Sequence, residues 1–449
     1  MKKALTVLFI LTFAAIVAVT AAGCSFRGAS AYEIAVRAGY SGTEEQWLET
    51  LKGDKGADGQ NFNAGYTAYE LYEEAVANGG YSGTFLDFIS EYFGSDPSSS
   101  VQAAVSEAVF SVVSVYCKFP VSSGRFSQTY YATSAGSGVI YSIDKTKGDA
   151  LIITNYHVVY SSYSLTTNKI ASEIKIYLYG NETSSGAISC EYVGGTSEYD
   201  IAVLKVSSSP VVSSSNAKAA VFADSDEVCL GQSVIAIGNP EAEGISVTQG
   251  ILSVESENIS MSDVSGDKNS IRVLRYDAAV NPGNSGGGLF NASGELVGIV
   301  NAKTVDEEID DMNYAIPSNT VSGVVNGIIN YCLGKSETSF YRAYFGVITT
   351  IVSTEGRYNA TRKCAETVET VAVESVSNGT LAYGKLMAGD RLVSVKYAGK
   401  TKQITRSYQL IDVILSLNVN DEVIFTVVRN GVTKDVSITV TQSCMTKVS

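Results

Sequence analysis

Asn281-Pro282-Gly283-Asn284-Ser285-Gly286-Gly287-Gly288-Leu289 sets one serine inside a run of glycines. A serine in such a turn presents its hydroxyl while the backbone N–H groups around it converge on one point. Acyl transfer needs that combination, a nucleophile beside a prepared site for the developing oxyanion. Taken alone, the run also reads as an ordinary glycine loop. Two further stretches bear on the choice. Ile152-Ile153-Thr154-Asn155-Tyr156-His157-Val158-Val159 puts the only histidine of the chain directly after an apolar strand. Tyr199-Asp200-Ile201-Ala202-Val203-Leu204-Lys205-Val206 opens another apolar strand with an aspartate. In chain order, His157, Asp200 and Ser285 are a general base, a carboxylate able to orient it, and a nucleophile.

Around them the chain reads as short β-rich runs separated by glycine and serine. The runs are 109–119, 138–143, 150–154, 174–179, 201–206, 233–237, 250–254 and 295–300. Many short strands with few helices predict a barrel or sandwich. Residues 321–333 are apolar at helical spacing and stop at Gly334, which predicts a closing helix. A polar linker, 334–339, follows, and then about 100 β-rich residues, a size suited to one more domain.

From about residue 101 to residue 333 the chain resembles the trypsin-like protease domain of the HtrA/Deg family. The matching pieces begin with Gly136-Ser137-Gly138-Val139-Ile140, Thr154-Asn155-Tyr156-His157-Val158-Val159 and Asp200-Ile201-Ala202-Val203-Leu204. They continue with Ala236-Ile237-Gly238-Asn239-Pro240, Val247-Thr248-Gln249-Gly250-Ile251, the segment from Asp277 to Gly287, and Tyr314-Ala315-Ile316-Pro317. The resemblance implies an all-β-dominated chain with a chymotrypsin-like double β-barrel. It implies Ser285 as nucleophile, His157 as general base and Asp200 as its partner. The N–H groups of Gly283, Asn284 and Ser285 would supply the oxyanion hole. One departure is Gly288, where the family usually has proline, and a looser turn is expected there. Ala279 stands six positions before Ser285, where enzymes that cut after basic residues carry an acid. A small or medium aliphatic P1 residue is therefore favoured. The acidic run 306–311 reads as a solvated loop beside the specificity pocket.

Residues 340–442 resemble an α+β PDZ domain. Tyr344-Phe345-Gly346-Val347 is similar to the loop that takes a C-terminal carboxylate on backbone N–H groups. Residues 386–395 and 423–431 match later strands, and 407–417 would be the helix beside the groove. The stretch from Thr349 to Ala372 is longer and more polar than the family pattern. Peptide C-termini are the implied partners of this domain, and a homotrimer is the implied assembly.

Lys2 and Lys3, an apolar run over 4–20 and Ala21-Ala22-Gly23-Cys24 describe an export signal ending in a lipobox, with Ala21 where leucine is usual. Residues 1–23 are expected to be the signal peptide. Cys24 is expected to carry the lipid that holds the chain to the outer face of a bacterial membrane. A signal cleaved elsewhere and an uncleaved anchor are the other readings. Residues 24–100 form a small helical and glycine-rich segment with a duplication, its Tyr-Ser-Gly-Thr tetrads starting at Tyr40 and Tyr81. Thr43 and Thr84 are placed as helix N-caps. A collagen-like trace, Gly53-Asp54-Lys55-Gly56-Ala57-Asp58-Gly59, lies between the copies and is too short for a triple helix. A spacer and a binding module both fit this region.

The whole chain has 449 residues, which points to two or three domains. With 32 basic against 46 acidic side chains its net charge is −14, which argues against nucleic acid as a partner. A single histidine excludes a multi-His metal site, and the 7 cysteines form no C-x-x-C pair. No cofactor or metal is expected. Besides Cys24, the cysteines are Cys117, Cys190, Cys229, Cys332, Cys364 and Cys444. An exported chain permits disulfides among them, and buried free thiols fit Cys117, Cys190 and Cys332 equally well. The expected function is a membrane-tethered, extracytoplasmic serine endopeptidase acting on unfolded or damaged exported proteins. Its rivals are a site-specific regulatory protease switched by a peptide at the PDZ domain, and a surface adhesin or scaffold.

Overall fold

The computed structural model describes residues 76–77, 82, 101–122, 129–240, 243–262, 268–301 and 312–448. The export signal, Cys24, the duplicated segment and the acidic run 306–311 lie outside the described residues. The chain divides into two units, Met1–Ser82 and Gly83–Ser449, and the elements that follow belong to the second.

Helix α1 (Val101–Ala108) and a single 3-10 turn, Val109–Ser111, precede the first strand. The strand run expected from residue 109 therefore begins three residues later. Six strands close an antiparallel barrel in the order β1-β2-β3-β6-β5-β4. They are β1 (Val112–Ser122), β2 (Thr129–Asp144), β3 (Asp149–Thr154), β4 (Glu173–Leu178), β5 (Ile188–Thr196) and β6 (Ile201–Val206). Six more close a second barrel in the order β10-β11-β12-β9-β8-β7. These are β7 (Ser233–Gly238), β8 (Ser246–Ser262), β9 (Lys268–Tyr276), β10 (Gly288–Asn291), β11 (Leu296–Asn301) and β12 (Asn313–Pro317). The double β-barrel expected from the sequence is present.

The side-chain period of two explains how the barrels join. In β4, Ile174, Ile176 and Leu178 point inward while Glu173, Lys175 and Tyr177 face out. Strand β6 is buried on both faces. Its Ala202, Leu204 and Val206 fill the first barrel. Its Ile201 and Val203 pack instead with Ile235, Ile237, Phe290, Ile299 and Ile316 of the second barrel. Residues at the ends of these seam strands thus face one another across the two barrels.

Helix α2 (Tyr156–Val159) is one turn after β3. Helix α3 (Ser318–Cys332) follows β12 and buries Val321, Val324, Val325, Ile328 and Cys332, a stripe at helical spacing, against the seam. It ends as expected at Gly334, whose φ of +71° few other residues adopt.

The C-terminal unit has its own core around Phe345, Val373, Leu392, Val413 and Phe425. Strand β13 (Tyr341–Ala343) pairs with the last strand, β20 (Met445–Lys447), so the unit runs past the expected boundary at residue 442. The long polar stretch is a hairpin of β14 (Val347–Asn359) and β15 (Cys364–Val376). The sheet continues through β16 (Arg391–Tyr397), β18 (Glu422–Arg429) and β19 (Val432–Thr439), with β17 (Lys400–Gln403) on β16. Helix α4 (Gln409–Leu415) is shorter than the 407–417 expected. The Gln409 side chain turns back and accepts the N–H groups of Thr405 and Arg406, closing the helix off there.

Cys229 and Cys364 form a disulfide, while Cys117, Cys190, Cys332 and Cys444 are free. Burial, reinforced by the neighbouring Cys190, pushes the Cys117 thiol up to about 12. Burial lifts Cys190 to about 12 and Cys332 to about 11. All three stay protonated and unreactive at neutral pH.

Candidate active site

The three residues singled out by sequence all lie at the seam, where His157 and Asp200 are in direct contact. His157 stands in α2, just beyond the end of β3. Asp200 occupies the turn into β6 with φ +52°, a left-handed conformation that aspartate tolerates better than most residues. That conformation turns both ends of Asp200 toward the histidine turn. Its Oδ1 accepts the His157 backbone N–H at 2.9 Å, and its Oδ2 meets His157 Nδ1 at 2.7 Å. Its carbonyl accepts the Tyr156 N–H at 3.2 Å and the Asn155 side chain at 2.9 Å. Asn301, at the end of β11, donates its side-chain amide to Asp200 Oδ2 at 2.9 Å. A carboxylate surrounded by donors on this many sides is fixed in place. The Nδ1–H of His157 directed at it leaves Nε2 as the ring's acceptor. The His157 side chain keeps 27% of its surface exposed against 9% for Asp200, so the ring edge is open to a reactant.

Ser285 lies in the turn between β9 and β10, and the buried Ser137 of β2 holds that turn. The Ser137 N–H donates to Ser285 O at 2.8 Å. Its Oγ donates to Gly283 O at 2.7 Å and accepts the Asn239 N–H at 2.7 Å. Its carbonyl accepts the Thr154 hydroxyl at 2.7 Å, which ties the same residue to the strand leading to His157. The approach is so close that a Cβ on Gly286, whose φ is +84°, would run into Ser137 O. The glycines of this turn are required by space as well as by dihedral angle.

The Asn284 N–H donates to Asn281 O at 3.0 Å within the turn. That amide is committed within the turn, which counts against the expectation that Asn284 joins the oxyanion hole. The turn after Ser285 is not loosened at Gly288 either. Gly288 is paired with both Ile237 and Ile299, and a Cβ there would meet the Phe290 ring. Sequence reading missed Asn301 and did not single out Ser137 or Asn155 within the matching pieces. A polar residue ending the apolar run of β11 was the available signal for Asn301. Ala279 is exposed, and its carbonyl accepts the Thr248 hydroxyl at 2.7 Å.

In the C-terminal unit, Tyr344-Phe345-Gly346-Val347 forms the turn into β14. The Tyr344 N–H is committed to Cys444 O at 2.8 Å. The Phe345 and Gly346 N–H groups have no acceptor among the described residues. They close one end of a cavity of about 950 Å³ between β14 and α4, with Ile348, Ile351, Ile411 and Ile414 on its apolar walls. Its opposite wall comes from the barrels and includes Glu198, Asn258, Ser270 and Arg272, with Arg342 of β13 beside it. Arg342 pairs with Glu198 at 2.7 Å and with Tyr199, the two residues before Asp200.

Among the described residues no group of three or more His, Cys, Asp or Glu side chains is arranged to hold a metal ion. No described helix is long and apolar enough to cross a membrane.

Residues 136–299 match the model of the trypsin-like peptidase domain. The chain is 30% identical over 370 residues to the serine protease Do-like HtrA of Lactococcus lactis subsp. lactis (strain IL1403), covering 77% of this chain and 83% of that one. It is 32% identical over 321 residues to the protein of the same name from Lactococcus lactis subsp. cremoris (strain MG1363), covering 69% and 72%. A solved structure titled HtrA-type protease AlgW with decapeptide aligns at 24% identity and TM-score 0.47, covering 76% of this chain and 98% of that one.

Proposed function

The chain belongs to the HtrA/Deg family of serine endopeptidases, and on that premise we propose that Ser285, His157 and Asp200 are its catalytic triad. The observation that carries the assignment is the double hold of Asp200 on His157, through the backbone N–H and through Nδ1. The Ser285 hydroxyl oxygen attacks the scissile carbonyl carbon while its proton passes to His157 Nε2. Asp200 stabilises the imidazolium that forms. The N–H groups of Gly283 and Ser285 meet the charge on the carbonyl oxygen. When the intermediate collapses, His157 returns the proton to the leaving amine. Water then hydrolyses the acyl-serine with the same residues in reversed roles.

Labelling with a phosphonofluoridate tests this directly. Wild type should take one label per chain and digest casein, whereas Ser285→Ala should do neither while keeping its fold. Proteolysis retained by purified Ser285→Ala would overturn the mechanism.

The substrates are unfolded or damaged exported proteins, with the C-terminal unit acting as a PDZ domain. Support comes from the unpaired Phe345 and Gly346 amides at the end of an apolar groove, which suit a peptide's terminal carboxylate. The contact of Arg342 with the residues before Asp200 favours a second reading, a regulatory protease switched by that peptide. The tether rests on Ala21-Ala22-Gly23-Cys24. Acylation there supplies the two chains that hold proteins stably on bilayers. Metabolic labelling with a clickable fatty acid should mark wild type and not Cys24→Ser. Unlabelled wild type recovered in the medium would refute the anchor.

A further inference from the structure

We propose that the Cys229–Cys364 disulfide is a redox modification site, opened by a dithiol reductant to release the C-terminal hairpin from the second barrel. Cys229 lies in the loop before β7, and Cys364 is the first residue of β15, at the tip of the β14–β15 hairpin. Their Cα atoms are 6.2 Å apart, within the usual span of a disulfide, and 135 residues apart in sequence. Both are half-buried, within reach of a small thiol.

The two ends of the C-terminal unit are held by different means. At the near end, Phe340, Leu415 and Val448 are buried in the same apolar cluster as α3. The helices approach so closely that a Cβ on Gly323 would stand 2.7 Å from that of Leu415. Toward the far end the contacts are charged. Arg272 is shared by Asp412 at 2.8 Å and Asp226 at 3.2 Å, and Lys402 pairs with Asp226. Arg406 pairs with Glu255 of β8. Desolvation offsets much of the attraction in buried ion pairs, so they hold the pose without gluing it strongly. A polar cavity of about 810 Å³, lined by Asn319, Arg357, Arg362, Glu366 and Lys402 among others, separates hairpin from barrel along this stretch. Every residue of β14 from Thr350 to Tyr358 is exposed, on both faces of the strand. Apart from the Arg362 guanidinium, which reaches Asp226 O at 3.5 Å, little holds the hairpin tip down, and the disulfide is its principal restraint. The near end acts as the hinge and the disulfide as the clasp.

The step balances as ordinary exchange. One thiolate of the dithiol attacks a sulfur of the bridge, and the other cysteine leaves as a thiolate and takes up a proton. The second thiol of the reductant then attacks the mixed disulfide. The reductant ends as a disulfide and the protein as two thiols, two electrons and two protons having moved. Released, the hairpin carries its groove strand β14 away from the wall formed by Asn258, Ser270 and Arg272. The inference goes beyond the peptidase reading, and its test does not need activity.

The experiment uses full-length Ser285→Ala protein, which cannot digest itself if the triad is as proposed. Alkylation before reduction and peptide mapping should recover Cys229 and Cys364 as one cross-linked peptide pair. Hydrogen exchange is then followed with and without dithiothreitol. Reduction should speed exchange in 350–359 by about tenfold or more, while 201–206 stays protected. The additional changes Cys229→Ser and Cys364→Ser should reproduce the reduced pattern without reductant. Free alkylation of either cysteine beforehand would overturn the proposal. So would exchange unchanged by reduction, or loss of protection at 201–206 as well, which would make the bridge a staple of the whole fold.

Discussion

Replacing Ser137 by alanine should separate the positioning of the Ser285 turn from its chemistry. The alanine keeps the backbone N–H that donates to Ser285 O, so only the hydroxyl is lost. Two groups lose their partner, the part-buried Gly283 O and the buried Asn239 N–H, each at 2.7 Å. A buried polar group left unpaired costs about 1–3 kcal/mol. The Asn239 N–H carries that full cost and the half-exposed Gly283 carbonyl less, so roughly 1–3 kcal/mol is expected, with water entering the vacated space bringing it toward the lower end. Activity should fall further than this loss of stability explains. The Gly283–Asn284 peptide is no longer pinned, and removing one oxyanion donor costs about 10²–10³ in kcat. A turn that samples its catalytic shape only part of the time should lose about tenfold to a hundredfold.

The assay measures kcat and KM on a fluorogenic peptide at a temperature where denaturant curves show the variant fully folded. The expected signature is a fall in kcat with KM changed little, because the defect lies where charge develops rather than where the peptide binds. A folded Ser137→Ala enzyme with kcat within twofold of wild type would refute the reasoning. Ser137 would then be a structural residue only.

Asn301→Asp replaces a donor to Asp200 Oδ2 with a second carboxylate at 2.9 Å, and should cut kcat at least tenfold while Asn301→Ser costs less. Equal rates for both variants, measured on the same peptide, would argue against an orienting role. Gly323→Ala should push Leu415 off α3 and lower the urea midpoint of the docked C-terminal unit, read by exchange in 409–415. Burial pushes the Glu366 carboxyl up, but donors from Asn359, Arg357 and Arg362 outweigh it and hold it down at about 2. A carboxylate depressed in the fold from about 4.3 stabilises it fully above roughly pH 5, and loses that contribution as pH falls to 2. The stability difference between wild type and Glu366→Gln should therefore shrink over that window, and a difference independent of pH would refute the ion cluster.

The legibility of this chain follows the range of its interactions. His157, Asp200 and Ser285 are readable because each borders an apolar run or sits in a glycine turn, signals carried by eight or nine neighbouring residues. Asn301 is not, because its role appears only when β11 crosses the seam to meet Asp200, a residue 101 positions away. The oxyanion donors are not separable in sequence for a related reason. Three consecutive amides look equivalent in sequence, and only the folded turn shows that Asn284 spends its own on Asn281. The apolar pattern of β8 stops at Val254, since Glu255-Ser256-Glu257-Asn258 has no apolar alternation. The ladder continues to Ser262 because β9 supplies its hydrogen bonds. The pairing of Cys229 with Cys364 depends on where a polar hairpin lands, and no local property of either cysteine encodes it. Family resemblance and local pattern thus located the candidate chemistry. The Cys229–Cys364 bridge and the charged dock beneath it come from long-range contacts between polar segments that carry no periodic signal.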